Sequence, residues 1–263
     1  MAFDFVSFTT DYGLADGFPA ACEGVIARIA PAVRVIHITH LIPPRDVRRG
    51  AAVLAQTVPA LPPAVHLAVV DPGVGTTRRG VVIVADSGVF VGPDNGLLPP
   101  AAAGITAAYE LTDEPDYATF HGRDVFAPAA ARIAAGAAPD LLGPPIDPAT
   151  LTRLPDPVTM ALPGRLITEV IGTDTFGNVQ LAATATDLAA TGAAPGWRAH
   201  AQIGDRSLEA VVGRTFADAD AGTAVLLIDS AGHVAIAING GSAAQDLEPV
   251  PGVSATVLVA HGR

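Results

Sequence analysis

The chain has 263 residues, half of them apolar and 16% charged, so it can bury a sizeable core, and its composition excludes a disordered chain. Its formal net charge of −11, with no basic stripe, argues against a nucleic-acid partner. All 15 basic residues are arginine, which excludes Schiff-base chemistry and a Walker-type lysine, and the single cysteine, Cys22, excludes an internal disulfide and a thiolate metal cluster.

No apolar run reaches the ~18 residues of a membrane span, and "MAFDFVSFTT" has the pattern of a strand rather than a signal peptide. The expectation is a cytoplasmic protein in a reducing compartment, with no membrane partner.

In chain order, "FDFVSFT" is an apolar strand and Gly17–Ala30 has helical spacing. "VRVIHIT" is a strand, "RDVRRGAAVLAQTV" a helix and "VHLAVV" another strand. "GVVIVADSGVFVG" predicts a hairpin turning at Ser87-Gly88. "RDVFAPAAARIAAG" reads as a helix capped by Gly136. Strands alternating with helices predict an α/β domain around a mostly parallel sheet, residues 1–138.

Residues 139–163 hold seven prolines, which predicts a linker or an extended wrapping segment. From 164 to 263 come short β patterns: "RLITEVI", "NVQLA", "RAHAQIG", "LEAVVG", "TAVLLID", "HVAIAIN" and "SATVLVA". Their close spacing predicts a small all-β barrel or sandwich.

Four stretches carry candidate chemistry. "VVDPGVGTTRRG" follows a strand and contains Asp71 and Arg78. A phosphate cradle would need a helix immediately after the glycines, and a strand pattern follows instead. A plain Asp-Pro-Gly turn and a ligand loop both remain. "TFHGRDVFAP" places His121 at a helix start, as a capping turn or a ligand contact.

In "FTTDYGLADGF", Asp16 suits a helix N-cap. Asp11, at the end of the first strand, suits a ribose diol, because one carboxylate accepts two hydroxyl hydrogens. "GTDTFGNVQL" combines an acid, Asp174, with Phe176 and Asn178, which could stack on a base and read its edge, or form a tight turn with Phe176 in the core. The "HITH" pair, His37 and His40, lacks a third ligand and reads as structural.

Together, "FTTDYG", "IPPRDVRRGA", "VVDPGVGTTRR", "VGPDNGLL", "TFHGRDVFAP", "DTFGNVQL", "TFAD" and "INGGSAA" resemble, in order, the S-adenosyl-L-methionine (SAM) hydroxide adenosyltransferase family, relatives of the fluorinases and chlorinases. The resemblance covers nearly the whole chain. It implies a Rossmann-like N-terminal domain and a barrel-like C-terminal domain. It also implies homotrimers whose active sites lie between the N-terminal domain of one subunit and the C-terminal domain of its neighbour.

The implied reaction is hydrolysis of SAM to adenosine and L-methionine, without a metal or a redox cofactor. The catalytic set falls on Asp71, Arg78 and His121, and the ribose-binding acid on Asp11. Asp174 would hold the methionine amine, and Phe176, Phe216 and Asn178 would lie beside adenine. Ser230 would lie near the methionine carboxylate, and Asn239 at the adenine-binding strand end. The halogenating relatives carry tyrosine at the position of Asp71, and fluorinases carry an insertion where this chain has its tight hairpin and an arginine at the position of Ala231. Asp71 and the missing insertion point away from a halogenase, while the change at Ala231 bears on how the methionine carboxylate is held. A SAM sensor without turnover is the alternative of another class.

Overall fold

The computed structural model describes residues 2–260. The chain divides into two compact units, Met1–Leu154 and Pro155–Arg263.

The first unit is built on a seven-stranded sheet. Its strands are β1 (Phe5–Thr10), β2 (Arg34–Thr39), β3 (Val65–Val69), β4 (Gly80–Ala85), β5 (Gly88–Pro93), β6 (Ile105–Glu110) and β7 (Pro145–Ile146), in the order β2-β1-β3-β5-β4-β6-β7. The helices are α1 (Phe18–Ile29), α2 (Val47–Thr57) and α3 (Ala127–Ala134).

β3 is an interior strand, between β1 and β5, and is buried on both faces. Val65, Leu67 and Val69 join the core formed with α1 and α3, while Ala68 and Val70 join a second core with Leu54 of α2. An interior strand covered on both sides calls for a near-continuous apolar run, and "VHLAVV" is broken only by His66, which is buried and hydrogen-bonded to Ser7 at 2.8 Å.

The sheet is mixed, which corrects the expectation of a mostly parallel one. β1–β2, β1–β3 and β3–β5 are parallel, whereas β4–β5, β4–β6 and β6–β7 are antiparallel. The hairpin forces the change, because a two-residue connection can only join antiparallel strands. Its turn is at Asp86–Ser87, one residue earlier than the sequence pattern indicates.

Two helix starts also differ from expectation. Gly17, not Asp16, is the N-cap of α1, and no side chain caps it. The segment expected as one helix from Arg123 begins as a single π turn, Gly122–Phe126, and becomes α-helical only at Ala127. Asp46 does cap α2, accepting the Arg49 N–H at 2.9 Å.

The proline-rich segment is ordered into structure on both sides of the boundary between the units. β7 pairs with β6, and β8 (Met160–Leu162) pairs with β9 (Arg165–Thr173). Arg79 donates to the Thr150 carbonyl at 2.9 Å, and Asp94 accepts the Thr152 N–H at 2.8 Å.

The second unit continues with β10 (Val179–Thr184), β11 (Arg198–Ile203), β12 (Arg206–Val212), β13 (Ala224–Ile228), β14 (His233–Ile238) and β15 (Ser254–Ala260). The order β10-β14-β13-β12-β11-β15-β9 closes through a β9–β10 pairing into a seven-stranded barrel. Only β12–β13 is parallel. Strands alternate inward and outward residues, and Leu166, Val170, Ala199, Ala201, Val212 and Val257 are among those that fill the interior. Among the described residues, no helix is long and apolar enough to cross a membrane.

Candidate active site at the ends of β1 and β3

From β1 the chain passes through α1 to β2 on one side, then through α2 to β3 on the other side of β1. The carboxyl ends of β1 and β3 therefore flank a point where strand order reverses, the usual place for a ligand crevice in such a sheet. Asp11 follows β1 directly, and Asp71 lies two residues past β3.

The glycine-rich loop after β3 is both a turn and a reactive cluster. Val74 N–H bonds the Asp71 carbonyl at 3.3 Å. Gly75 has a φ of +75° and presses on the Ala118 carbonyl, which a Cβ would approach to 3.0 Å. This folding returns Arg78 to Asp71, with Nε to Oδ1 at 3.1 Å and Nη2 to Oδ2 at 2.5 Å. The two side chains are only 9% and 5% exposed. Arg78 Nη2 also lies 3.1 Å from His121 Nδ1, and its guanidinium sits over the buried Phe126 ring. The structure thus brings Asp71, Arg78 and His121 into one hydrogen-bonded cluster.

Burial raises the Asp71 pKa above the usual carboxylate value, opposed by the charge and hydrogen bonds of Arg78. The His121 pKa is lowered, first by burial and then by Arg78, with Asp71 and Asp124 pulling the other way. A guanidinium only donates, so His121 Nδ1 must present its lone pair and the ring proton sits on Nε2. The cluster offers a carboxylate, a fixed cation and a neutral imidazole N–H. Beside it, a cavity of about 160 Å³ is lined by residues including Arg78, His121, Glu110 and Asp113.

Asp11 Oδ2 accepts the backbone N–H of Arg45 at 2.8 Å, and Arg45 itself has a left-handed φ of +68°. Next to it is an aromatic group that reasoning from motifs missed. Tyr12, Phe18 and Phe120 pack edge to face or tilted, with centroids 5.2–6.0 Å apart. The available signal was adjacency, since Tyr12 follows Asp11 and Phe120 precedes His121. The Tyr12 hydroxyl rests against Gly122, where a Cβ would lie 2.1 Å from it. Burial, first, and then the charges of nearby acids raise the Tyr12 pKa.

In the second unit, Asp174 organises its own loop. Its Oδ1 accepts Phe176 N–H and Asn178 N–H, both at 2.9 Å, and its Oδ2 accepts Asn178 Nδ2 at 2.7 Å. This is a tight turn, but Phe176 is 79% exposed rather than in the core. Phe216 is also exposed, and Asn239 Nδ2 holds the same loop through the Ala219 carbonyl at 2.8 Å. Ser230 is exposed on the β13–β14 turn, where Asp229 accepts the N–H groups of Ala231 and His233.

His37 and His40 bond each other, Nδ1 to Nε2, at 2.8 Å. Among the described residues, no group of three or more His, Cys, Asp or Glu could hold a metal ion.

Comparison with known proteins matches residues 6–143 to the SAM hydroxide adenosyltransferase N-terminal domain and residues 168–254 to the C-terminal domain of the same name. A protein of Salinispora arenicola named (R)-S-adenosyl-L-methionine hydrolase is 55% identical, covering 94% of this chain and 95% of its own. A fluorinase of Nocardia brasiliensis is 29% identical over 97% of this chain and 96% of its own. The crystal structure of an uncharacterised conserved protein from Thermotoga maritima superposes with a TM-score of 0.91, at 32% identity, covering 96% of this chain and 99% of that one.

Proposed function

The chain belongs to the SAM hydroxide adenosyltransferase family, and from that premise we infer that it hydrolyses SAM to adenosine and L-methionine. The observation that carries the mechanism is the Asp71–Arg78–His121 cluster at the ends of the parallel strands.

The reaction is a displacement at C5′ of SAM. A water oxygen forms the new bond to C5′, the C5′–S bond breaks, and its electron pair returns to sulfur, giving the neutral thioether of methionine. The leaving group needs no proton. The water must lose one, so the protein's task is to orient the nucleophile and accept that proton.

Asp71 is the acceptor in this reading. Arg78 occupies His121 Nδ1, and His121 Nε2 already carries hydrogen, so neutral His121 can donate to the water oxygen but cannot take its proton. Arg78 clamps the carboxylate in place, while burial keeps it more basic than a solvated aspartate. An anionic Asp71 beside the nucleophile position also disfavours chloride and fluoride relative to water.

Asp11 holds the ribose diol in this proposal. Asp174, Phe176, Asn178, Phe216, Ser230 and Asn239 contact the methionine and adenine ends, with a neighbouring copy in a homotrimer completing each site. The exposure of Phe176 and Phe216 supports that part, and an active monomer by light scattering would remove it. No cofactor takes part beyond the substrate itself.

The test of the activity is incubation with SAM in chloride-containing buffer, with the products separated by chromatography. Adenosine and methionine in equal amounts are expected. A chlorinated nucleoside would make the protein a halogenase, and intact SAM together with tight SAM binding would make it a sensor without turnover.

A further inference from the structure

A polar chain behind Asp11 is not used by the chemistry above. Tyr12 N–H donates to Thr10 Oγ1 at 3.1 Å, and Thr10 Oγ1 lies 2.9 Å from His40 Nδ1. His40 Nε2 lies 2.8 Å from His37 Nδ1, and His37 Nε2 lies 3.3 Å from the Glu23 carboxylate. His40 is buried at 5% exposure, whereas the His37 and Glu23 side chains are 41% and 47% exposed.

The protons in this chain can be assigned from the surface inward. The Glu23 carboxylate, 3.3 Å from His37 Nε2, favours by its charge a hydrogen on that nitrogen, so His37 presents its Nδ1 lone pair to His40. His40 Nε2–H then donates to His37, which leaves His40 Nδ1 bare. The Thr10 hydroxyl, already accepting from Tyr12, donates its hydrogen to that lone pair. Each hydrogen bond of the chain, Tyr12 to Thr10, Thr10 to His40 and His40 to His37, then has one donor and one acceptor, with both rings neutral.

The same residue holds the far end of the turn. The His40 carbonyl accepts Gly13 N–H at 2.7 Å, and Gly13 has a φ of +72°. Residues 10–13 are therefore clamped at both ends by His40, one end through its side chain and the other through its backbone. Asp11 lies between the clamped ends, its Oδ2 tied to Arg45 N–H, and its Oδ1 carries no hydrogen bond among the described residues.

We propose that His40 is a positioning residue for recognition of the nucleoside ribose: by accepting the Thr10 hydroxyl it holds Asp11 where its free oxygen meets the sugar hydroxyls. The proposal rests on the reading of Asp11 as the ribose-holding acid. His40 touches no substrate atom itself, and the "HITH" motif is then a brace for the binding turn.

The experiment is calorimetric binding of adenosine and of 2′-deoxyadenosine to the full chain, which needs no turnover. The unaltered protein should prefer adenosine by about tenfold or more, the expected scale for a hydroxyl paired with a carboxylate. In His40→Leu, which cannot accept the Thr10 hydroxyl, the preference should fall to about twofold or less. Thr10→Val removes the same bond from its other side with little change of shape and should give the same loss. His40→Asn, whose amide oxygen can stand near the Nδ1 position, should keep most of the preference.

A preference retained in Thr10→Val, or in His40→Leu with an unchanged circular dichroism spectrum, would overturn the proposal. Equal binding of the two nucleosides by the unaltered protein would remove Asp11 from the ribose and the proposal with it. A normal preference in a protein that leaves SAM intact would overturn hydrolysis alone.

Discussion

Arg78 donates to Nδ1 of His121 at 3.1 Å, and that contact determines which histidine nitrogen carries the proton. Without it either ring nitrogen could serve as a base. With it, the imidazole is a donor through Nε2, and the carboxylate of Asp71 is the group left to accept a proton from water.

Asp71→Asn should keep the shape of the loop, and its side-chain oxygen can still accept from Arg78, but its basicity is lost. Turnover should fall about 100-fold or more, while adenosine affinity changes little. Product chromatography and calorimetry on the same variant check both halves, and undiminished turnover would remove Asp71 from the mechanism.

Arg78→Met should raise the His121 pKa. The Arg78 cation disfavours a second positive charge, and its removal also leaves Asp71 unneutralised, which favours imidazolium. A proton NMR titration of the His121 ring reads the shift. An unchanged or lower pKa would show that the contact does not control the ring. Turnover should fall as well, because Asp71 loses the fork that orients it.

Acid stability should depend on His40. Burial, followed by the neighbouring His37, lowers its pKa to about 4 from an ordinary 6.5. Between those values an unfolded histidine binds a proton and the folded one does not. Stability is thus fully present above about pH 6.5 and is lost as pH falls towards 4. Buried His66, also shifted down, acts in the same direction. Urea denaturation at a series of pH values should show this slope, and His40→Asn should flatten it. An identical slope in that variant would assign the loss to other groups.

Gly122→Ala should disturb the π turn beside His121, since the new methyl group would lie 2.1 Å from the Tyr12 hydroxyl. Overpacking of this kind costs about 1–3 kcal/mol. Combining it with Tyr12→Phe should recover part of the loss, because the first atom met is then a ring carbon at 3.0 Å. Thermal melts of the two single variants and the double variant give the coupling. Strict additivity would show that the two residues do not meet.

Much of this was legible along the chain because it is encoded at short range. A near-continuous apolar run specifies a covered interior strand, and "VHLAVV", interrupted only by His66, is one. Alternation in "RLITEVI" specifies a strand with one face inward, and it became β9 of the barrel. A strand rather than a helix after "VVDPGVGTTRRG" disfavours a phosphate cradle, and β4 does follow that loop. Asp71 and His121 were recognisable as candidates because each is a polar residue in a glycine-containing turn at an element boundary.

The remainder depended on which elements become neighbours. The direction of β4, the rings around Tyr12, the mutual bond of Asp174 and Asn178, and the role of His40 are not properties of any local period. Arg78 and His121 are 43 positions apart and meet only because the sheet order seats the loop after β3 beside the turn that begins α3. Local patterning specified the kinds of element and the chemistry available at their ends. Tertiary structure alone decided which donor faces which acceptor, because hydrogen bonds act over about 3 Å and that proximity is set by packing.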